Sequence, residues 1–523
     1  MPLPQTSARA ADPIPERQRK RLGAWATPPD LVDLVVDRTI DAAWLARFDR
    51  PVRVLDPACG DGRFLAAAAR RIVELGGSVE LIGVDLDPLA VEEARGALVG
   101  FPANLRCADA LALDGYDGYD DRDELVDLVL GNPPFLSQLA VHTTRGGASR
   151  HGGGPYADAA AEFLALAVAM TVAGGRVGLV LPQSILAARD AGPVRAAVER
   201  STERLWSWWS PDRRFDADVV VCALGVERRP DPPSRLQECP SSRRSAAEIA
   251  GHGGHGGHGG HGGHGGHGGR GGHPVWTRVV TEALGVPDVP ELCTDGTLGD
   301  HATSNANFRD EYYALVPAVD DHPAGPPLVT SGLIDPGMCR WGERPVRFAK
   351  RTFAAPRVDV ARLDDRMQRW AARKLVPKVL VATQTPVIEA VTDADGSWLP
   401  GVPVTSVVPA GGVDPWAIAA VLTSPVASTW AWHRAAGTGL SARTLRLGPA
   451  FLADLPWPVG PLDEAVAALR RGDIEACGAL VDAAYGIDPA DDRAGSAMTT
   501  WWLDAIDRLT RPRGVARGRR ARA

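Results

Sequence analysis

Residues 52–65 read VRVLDPACGDGRFL, an apolar strand that leads into a tight turn with two glycines and then into the start of a helix. Glycine lets the backbone approach a ligand closely at a helix N-terminus. The next apolar run, 81–84, ends in Asp85, which lies 25 residues after Gly60. A carboxylate at such a strand end can accept hydrogen bonds from ribose hydroxyls. The glycine pattern is not Gly-x-Gly-x-x-Gly and no phosphate-binding lysine follows, which disfavours NAD and ATP.

The sequence around this turn alternates short apolar runs with alanine-rich stretches from about residue 24 to 230. This alternation, with strands rich in Val and Leu, predicts an α/β fold with an open, mainly parallel sheet. The predicted strands are 52–55, 81–85, 125–130, 176–181 and 219–226, and the predicted helices are 64–75, 88–98, 157–172 and 192–202.

Two further polar positions follow apolar stretches. Asp109, in the segment CADAL, could accept a hydrogen bond from an adenine amino group, although an Asp at such a place is as often a helix N-cap. The segment Asn132-Pro133-Pro134-Phe135 follows an apolar strand, at the end where open α/β sheets bind ligands.

The tetrapeptide suits methyl transfer to an amino group, although Asn-Pro-Pro on its own equally signals a turn. The Asn132 side-chain oxygen and a proline carbonyl can accept both hydrogens of an exocyclic amino group and so raise the electron density on its nitrogen. The two prolines stiffen the loop, and Phe135 offers a face on which an extruded base can stack. Its place after a glycine turn and acidic strand ends favours the catalytic interpretation.

In these motifs the chain resembles the gamma-class, Taq-type N6-adenine DNA methyltransferases of restriction–modification systems. The resemblance implies a Rossmann-like class I methyltransferase sheet that uses S-adenosyl-L-methionine. The segment ATPPD at 26–30 resembles the motif that closes over the cofactor methionine, and the segment 214–220 resembles the motif whose aromatic residue contacts the flipped adenine. The implied cofactor-binding residues are Thr27, Asp56, Ala58, Gly60, Gly62, Asp85, Asp109 and Asn132, the implied catalytic residues are Asn132, Pro133, Pro134 and Phe135, and the implied base contacts are Phe135 and Phe215.

The composition divides the rest of the chain. Residues 231–274 are a Pro/Ser-rich stretch followed by a His-Gly-Gly repeat with six histidines, which we interpret as a flexible linker and not as a metal site. We therefore expect a catalytic domain over 1–230, a mixed α/β target-recognition domain over 275–510, and a basic tail over 511–523. The short strands expected in the second domain are 378–382, 387–391 and 405–408, with helices from 417 and over most of 461–509.

Residues 340–378 contain twelve Lys or Arg and only four acidic residues, in a chain whose formal net charge is -7. The aromatic residues Trp341, Phe348, Phe353 and Trp370 are interleaved with them. A solvated helical face explains such a run equally simply, but its place in the expected recognition domain favours contacts to double-stranded DNA.

No secretory signal and no run of about 18 apolar residues is found. The seven cysteines lack any C-x-x-C pair, which is typical of reduced thiols and not of a zinc site. We therefore expect a cytoplasmic protein without a metal or a membrane, whose restriction endonuclease, if it has one, is a separate chain, because no nuclease motif is found.

Two alternatives stay open. The same tetrapeptide serves methyltransferases that act on RNA or on a protein glutamine, and a catalytically silent DNA-specificity subunit could keep the same fold.

Overall fold

The strand that leads into the glycine turn lies inside a seven-stranded sheet. The computed structural model describes residues 26–112, 125–135, 152–154, 157–212, 214–215, 219–230, 276–307, 309–321, 324–487 and 493–510. The strands of this sheet are β1 (Val52–Asp56), β2 (Val79–Asp85), β3 (Ala103–Cys107), β4 (Val126–Gly131), β5 (Thr171–Pro182), β6 (Thr202–Trp209) and β7 (Val221–Arg228). The helices that accompany it are α1 (Pro29–Thr39), α2 (Ala42–Leu45), α3 (Arg63–Glu74), α4 (Pro88–Ala97), α5 (Ala159–Met170) and α6 (Gly192–Ser201).

The strands lie in the order β3-β2-β1-β4-β5-β7-β6. The first five are parallel, and β7 pairs antiparallel with both β5 and β6. The chain turns to opposite sides after β1, because β2 pairs with one edge of β1 and β4 with the other. Open α/β sheets bind ligands at such a switch point, outside the carboxyl ends of the strands. All six residues of β4 are buried, as expected for a parallel strand that is covered on both faces.

The predicted α/β sheet is confirmed, and most element ends agree within two residues. The largest difference is at β5, which begins at Thr171 instead of 176 because the preceding helix already ends at Met170. Neither β6 nor α1 was predicted from the sequence: in β6, TERLWSWW, the apolar residues do not alternate, and α1 begins at Pro29, the second of two consecutive prolines.

The second half of the chain combines a small antiparallel sheet with two-stranded ladders and helices. Its strands are β8 (Thr294–Thr297), β9 (Ala302–Ala306), β10 (Val319–Asp320), β11 (Leu328–Val329), β12 (Ile334–Asp335), β13 (Met338–Cys339), β14 (Val346–Phe348), β15 (Arg351–Phe353), β16 (Arg357–Val358), β17 (Lys378–Ala382), β18 (Gln384–Thr385), β19 (Ala390–Asp393), β20 (Leu399–Pro400), β21 (Val404–Pro409), β22 (Leu445–Arg446) and β23 (Pro456–Pro458). Its helices are α7 (Arg278–Ala283), α8 (Leu298–His301), α9 (Arg309–Leu315), α10 (Asp365–Lys374), α11 (Pro415–Leu422), α12 (Pro425–Ala435), α13 (Pro449–Ala453), α14 (Asp463–Arg470), α15 (Ile474–Ala484) and α16 (Arg493–Thr510). The small sheet has the order β19-β17-β21-β9.

The mixed α/β character of this half is confirmed, including the helices within 461–509. The strand predicted at 387–391 is partly wrong, because β19 begins only at Ala390 and the three residues before it lie outside the strand. Val387 and Ile388 are fully buried there, so their apolar character reflects packing and not strand pairing.

One buried apolar cluster joins the two halves. It includes Val177 and Leu224 of the large sheet together with Val379 of β17 and Ile418 of α11. The second half therefore packs on the sheet through a continuous core. The domain boundaries expected at 230 and 275 stay a prediction, and the linker and the basic tail lie outside the described residues.

Candidate functional site

The site lies where the carboxyl ends of β1, β2 and β4 meet. These strands are neighbours and parallel, so Asp56, Asp85 and the segment after Gly131 all reach the same edge of the sheet. The positions follow from the topology alone, because each polar residue stands at or just beyond the last residue of its strand.

The glycine turn after β1 is held by the two acidic strand ends. Oδ1 of Asp56 accepts a hydrogen bond from the Ala58 amide at 3.0 Å, and Oδ2 of Asp85 accepts one from the Gly60 amide at 2.8 Å. Gly60 and Gly62 have φ of 54° and 79°, in the left-handed region that favours glycine. At Gly62 a Cβ would also approach the Cβ of Ala94 to 3.0 Å. The turn therefore places α3 closely against α4 and leaves the Gly60 backbone facing open space.

A second close approach lies at the end of β4. A Cβ on Gly131 would lie 2.6 Å from Oδ1 of Asp56, so the absence of a side chain here lets the carboxyl of Asp56 rest against the neighbouring strand. This brings the strand end that carries Asp56 next to the segment that carries Asn132.

The turn and these strand ends border a cavity of about 280 Å³. It gathers most of the residues that the sequence assigned to the cofactor: Thr27, Asp56, Ala58, Gly60, Asp85, Asp109 and Asn132, together with Pro134. Gly62, Pro133, Phe135 and Phe215 are not on its wall. Gly62 instead begins helix α3 as its N-cap.

Thr27 and Asn132 are 105 positions apart in the chain but in direct contact. Nδ2 of Asn132 donates a hydrogen bond to Oγ1 of Thr27 at 2.9 Å. The guanidinium of Arg63 donates to the carbonyl oxygen of Thr27 and also pairs with Asp61. The segment before α1 is thus tied both to the Asn-Pro-Pro-Phe tetrapeptide and to the helix after the glycine turn.

The two aromatic residues predicted to contact the base lie beside each other. The ring centroids of Phe135 and Phe215 are 6.1 Å apart with an interplanar angle of 87°, an edge-to-face arrangement. Phe215 is also buried in the apolar cluster that contains Val180 and Val221. It therefore has the core packing that a Phe before an apolar strand commonly shows, and its contact to a base stays a prediction.

Asp109 caps a turn and also borders the cavity, while its contact to an adenine amino group stays a prediction. Its Oδ1 accepts a hydrogen bond from the Leu111 amide at 3.0 Å, as a capping side chain does, and the residue lines the cavity with its side chain exposed. The cap orients the carboxylate without removing it from the cavity.

The cavity is strongly acidic. Within the described ranges, six carboxyl groups and one cation, Arg63, border the cavity, and Arg63 is paired with Asp61. Burial raises the pKa of Asp56 to about 8, and burial also raises the pKa of Asp85. The six acidic residues are Asp56, Asp61, Asp85, Asp87, Glu93 and Asp109. Such a wall repels phosphates and suits a ligand that carries positive charge and ribose hydroxyls, which S-adenosylmethionine does.

Sequence reasoning missed several residues of the wall. Asp87 accepts a hydrogen bond from the Leu89 amide and caps α4, and the Asp-Pro pair at 87–88 was a usable helix-start signal. Leu86 is 52% exposed beside the cavity, and Phe163 enters from α5. No local pattern points to Phe163, because only the packing of α5 on the sheet brings it there.

The basic segment 340–378 differs in part from its prediction. Seven of its twelve cations are exposed: Arg347, Lys350, Arg351, Arg362, Arg366, Arg369 and Arg373. Lys378, however, is 0% exposed and pairs with Asp393 inside the sheet. Arg340 and Arg344 both pair with Asp335.

The interleaved aromatic residues are mostly core residues. Phe348, Phe353 and Trp370 are buried in one apolar cluster, so these three rings do not contribute to the DNA contacts expected of the segment. Trp341 is half-buried, and the guanidinium carbon of Arg357 lies 4.5 Å from its ring centroid. The exposed cations of the segment are still placed where they could contact phosphates, so phosphate contacts stay a prediction.

Among the described residues, no helix is both long and apolar enough to cross a bilayer.

Comparison with known proteins gives a match of residues 14–198 to the family described as N-6 DNA Methylase. The type II methyltransferase M.BanIII of Aneurinibacillus aneurinilyticus is 32% identical over 142 residues, which cover 24% of this chain and 24% of that protein. The release factor glutamine methyltransferase of Bordetella pertussis is 29% identical over 171 residues, 31% of this chain and 58% of that protein. The match spans about a quarter of the length of the first curated relatives, 24% and 27%.

Among solved structures, the type I restriction–modification methyltransferase subunit from Streptococcus thermophilus matches with a TM-score of 0.33 and 19% identity, over 39% of this chain and 45% of that chain. The family match and the type II methyltransferase relative confirm the resemblance to N6-adenine DNA methyltransferases for the matched segment. The assignment to the gamma class stays a prediction.

Proposed function

We propose that this chain, whose residues 14–198 match the N-6 DNA Methylase family, is a DNA adenine methyltransferase that uses S-adenosylmethionine and acts on the N6 amino group. The observation that carries the proposal is the tetrapeptide Asn132-Pro133-Pro134-Phe135 at the carboxyl end of β4, with Asn132 and Pro134 on the wall of the acidic cavity. A methyl donor bound in that cavity and a base held at the tetrapeptide would meet at Asn132.

The cofactor supplies an electrophilic methyl group on its sulfonium. The acidic wall favours that positive charge and the ammonium group of the methionine part, while Asp85 is the carboxylate proposed to accept the ribose hydroxyls. Asp85 already accepts the amides of Gly60 and Asp87 at 2.8 and 2.9 Å. Each carboxylate oxygen has two lone pairs, so both oxygens keep capacity for a hydroxyl donor.

The protein groups proposed to act on the adenine are Asn132, the carbonyl of Pro133 and the ring of Phe135. The Asn132 oxygen and the Pro133 carbonyl would accept hydrogen bonds from the two amino hydrogens as the nitrogen attacks, which stabilises the positive charge that develops there. The methylated nitrogen would then release one proton to water. Stacking on Phe135 would hold the base after it leaves the duplex.

Double-stranded DNA is the proposed partner because seven exposed cations lie in the 340–378 segment, and phosphate contacts dominate DNA affinity. The proposal includes the gamma class, a recognition domain over 275–510, a cytoplasmic location, and a restriction endonuclease encoded separately.

Methyl transfer from labelled S-adenosylmethionine tests the proposal when three acceptors are compared: duplex genomic DNA, ribosomal RNA and a purified bacterial release factor. We expect label in DNA only, with N6-methyladenine found at one motif by sequencing the DNA of a host that expresses the chain. The match to release factor glutamine methyltransferases makes a glutamine acceptor the second candidate. Label in the release factor but not in DNA would select that candidate, and DNA binding without any transfer would select the silent specificity subunit.

A further inference from the structure

The loop between α12 and β22, residues 436–444, presents an apolar side chain to solvent. Leu440 is 87% exposed, the highest value for a large apolar side chain in the part of the chain that the structure describes. A single exposed leucine is ordinary on a protein surface. Three observations make this one informative: where the loop lies, how it is held, and which charges surround it.

The loop packs at the same edge of the large sheet as the catalytic tetrapeptide. Gly437 has φ of 91°, and a Cβ there would lie 2.6 Å from the carbonyl oxygen of Gln183. Gln183 directly follows Pro182, the last residue of β5. Because β5 is the parallel neighbour of β4, the loop contacts the sheet one strand away from Asn132.

Several hydrogen bonds brace the loop. The Leu440 amide donates to Oε1 of Gln384 at 3.0 Å, and the Thr438 amide donates to the carbonyl of Ala435 at 3.0 Å. The hydroxyls of Ser441 and Thr444 are hydrogen-bonded at 3.0 Å. The loop is therefore built to hold the Leu440 backbone in place while its side chain points away from the protein core.

Gly439 is part of the same brace. A Cβ at that position would fall 1.9 Å from the carbonyl oxygen of Thr444, so only glycine permits this tight passage of the chain. The close approach of Gly439 to the Thr444 backbone thus constrains the chain directly before Leu440.

The charges around the loop suit a polyanion. Arg443 and Arg446 are exposed just after Leu440, and the chain has no acidic residue from 415 to 453. Cations beside an apolar tip are the combination with which proteins grip phosphates and push a wedge between bases.

We propose that Leu440 is a wedge that enters the DNA duplex at the target base pair and stabilises the opened duplex while the adenine is outside. This rests on the proposed function, and it assigns to the 436–444 loop a role in base extrusion that the tetrapeptide cannot perform from inside its pocket. Arg443 and Arg446 hold the flanking phosphates in this arrangement.

The test compares wild type with Leu440→Ala and Leu440→Met on two duplexes that carry the methylated motif found by sequencing. The first duplex keeps the target adenine and reports methylation, and the second has 2-aminopurine in its place and reports extrusion by fluorescence. For Leu440→Ala we expect loss of the fluorescence rise and a decrease in single-turnover methylation of about tenfold or more, because unstacking a base costs a few kcal/mol. The Kd for the duplex changes by less than about threefold, since phosphate contacts remain. Leu440→Met keeps a large apolar side chain and retains both signals.

A duplex with an abasic site opposite the target adenine distinguishes a Leu440 that opens the base pair from a Leu440 that only contacts the DNA. Such a duplex is already open, so it restores Leu440→Ala methylation to near the wild-type rate. The matched control is Val99→Ala, because Val99 is 81% exposed but follows α4 at the opposite edge of the sheet. That control behaves as wild type.

If Leu440→Ala extruded the base as fully as the wild type does, the wedge proposal would be overturned and the proposed function would stand. Failure of the abasic duplex to rescue the variant would also overturn it and would assign Leu440 to binding or folding. A wild-type chain that methylates no adenine would overturn the proposed function and the wedge together.

Discussion

The acidic cavity at the edge of the large sheet and the basic segment 340–378 are both concentrations of charge, yet they relate to the sequence differently. In the cavity, Asp56 and Asp85 face the site because each stands at the end of a parallel strand. In the basic segment, neighbours in sequence diverge: Arg373 is exposed, whereas Lys378 is completely buried. A charged residue at the end of a parallel strand can be predicted to face the site, because the sheet fixes where the strand ends. A basic composition does not predict which of its cations are exposed.

The largest expected effect separates the buried cation from the exposed ones. Lys378→Ala leaves the buried carboxylate of Asp393 without a cation, held by the amides of Ser397 and Trp398. The free energy of unfolding decreases by about 3–5 kcal/mol. Urea unfolding measures this. The control Arg373→Ala, on the exposed end of α10, changes the free energy by less than about 0.5 kcal/mol. Equal decreases in the two variants would contradict the difference drawn between them.

The next effect concerns the tetrapeptide that we propose to be catalytic. Asn132→Ala lowers single-turnover methyl transfer by about 10²–10³-fold because it removes a side-chain acceptor for the amino hydrogens. Binding of S-adenosylmethionine, measured by calorimetry, stays largely unchanged. Near-normal turnover in this variant would remove the catalytic assignment.

A smaller effect tests the buried carboxyl of the cavity through pH. The pKa of Asp56 is raised to about 8 by burial, whereas in an unfolded chain it is about 4. The folded protein therefore holds an extra proton between about pH 4 and 8. The stability that this proton contributes is complete below about pH 4, decreases as the pH rises through this interval and is lost once the pH has passed about 8.

A positively charged ligand favours the ionised carboxyl, so affinity for S-adenosylmethionine increases with pH up to about 8, by at most about tenfold per unit. Calorimetry at pH 6, 7, 8 and 9 measures the slope. Asp56→Asn cannot titrate and shows a flatter profile. An equally steep profile in the variant would assign the pH dependence to another group, such as the ligand amine.

The smallest effect concerns exposed charge. Arg366→Ala and Arg369→Ala, both on the exposed face of α10, weaken DNA binding without changing the motif that is methylated. If an arginine neutralises one phosphate, its removal makes the slope of log K against log salt shallower by about 0.9. Arg70→Ala, an exposed arginine of α3, is the control. Fluorescence anisotropy over a salt series gives the slopes, and slopes that match the wild type would remove α10 from the DNA interface.

Local patterns predicted the parallel sheet of the first half, and together with the family resemblance they named eight residues of the cavity wall. A strand that ends in Asp56, a glycine turn and a second strand that ends in Asp85 form one contiguous unit, and its parts meet through short connections. Leu86 and Asp87 directly follow Asp85 but were not predicted, because hydrogen bonding to ribose requires only the carboxylate at the strand end. Phe163 could not be predicted from a local motif, since it lies on helix α5, 78 positions after Asp85, and reaches the cavity only through the packing of that helix.

The sequence by itself determined the α/β sheet, the glycine turn and the place of Asn132 at a strand end, because strand and turn propensities act over a few neighbouring residues. Only the tertiary structure decided that Thr27 would meet Asn132, that Lys378 would be buried, and that the 436–444 loop would pack beside β5. These contacts join residues far apart in the chain, and they depend on how whole elements pack, which no local pattern encodes.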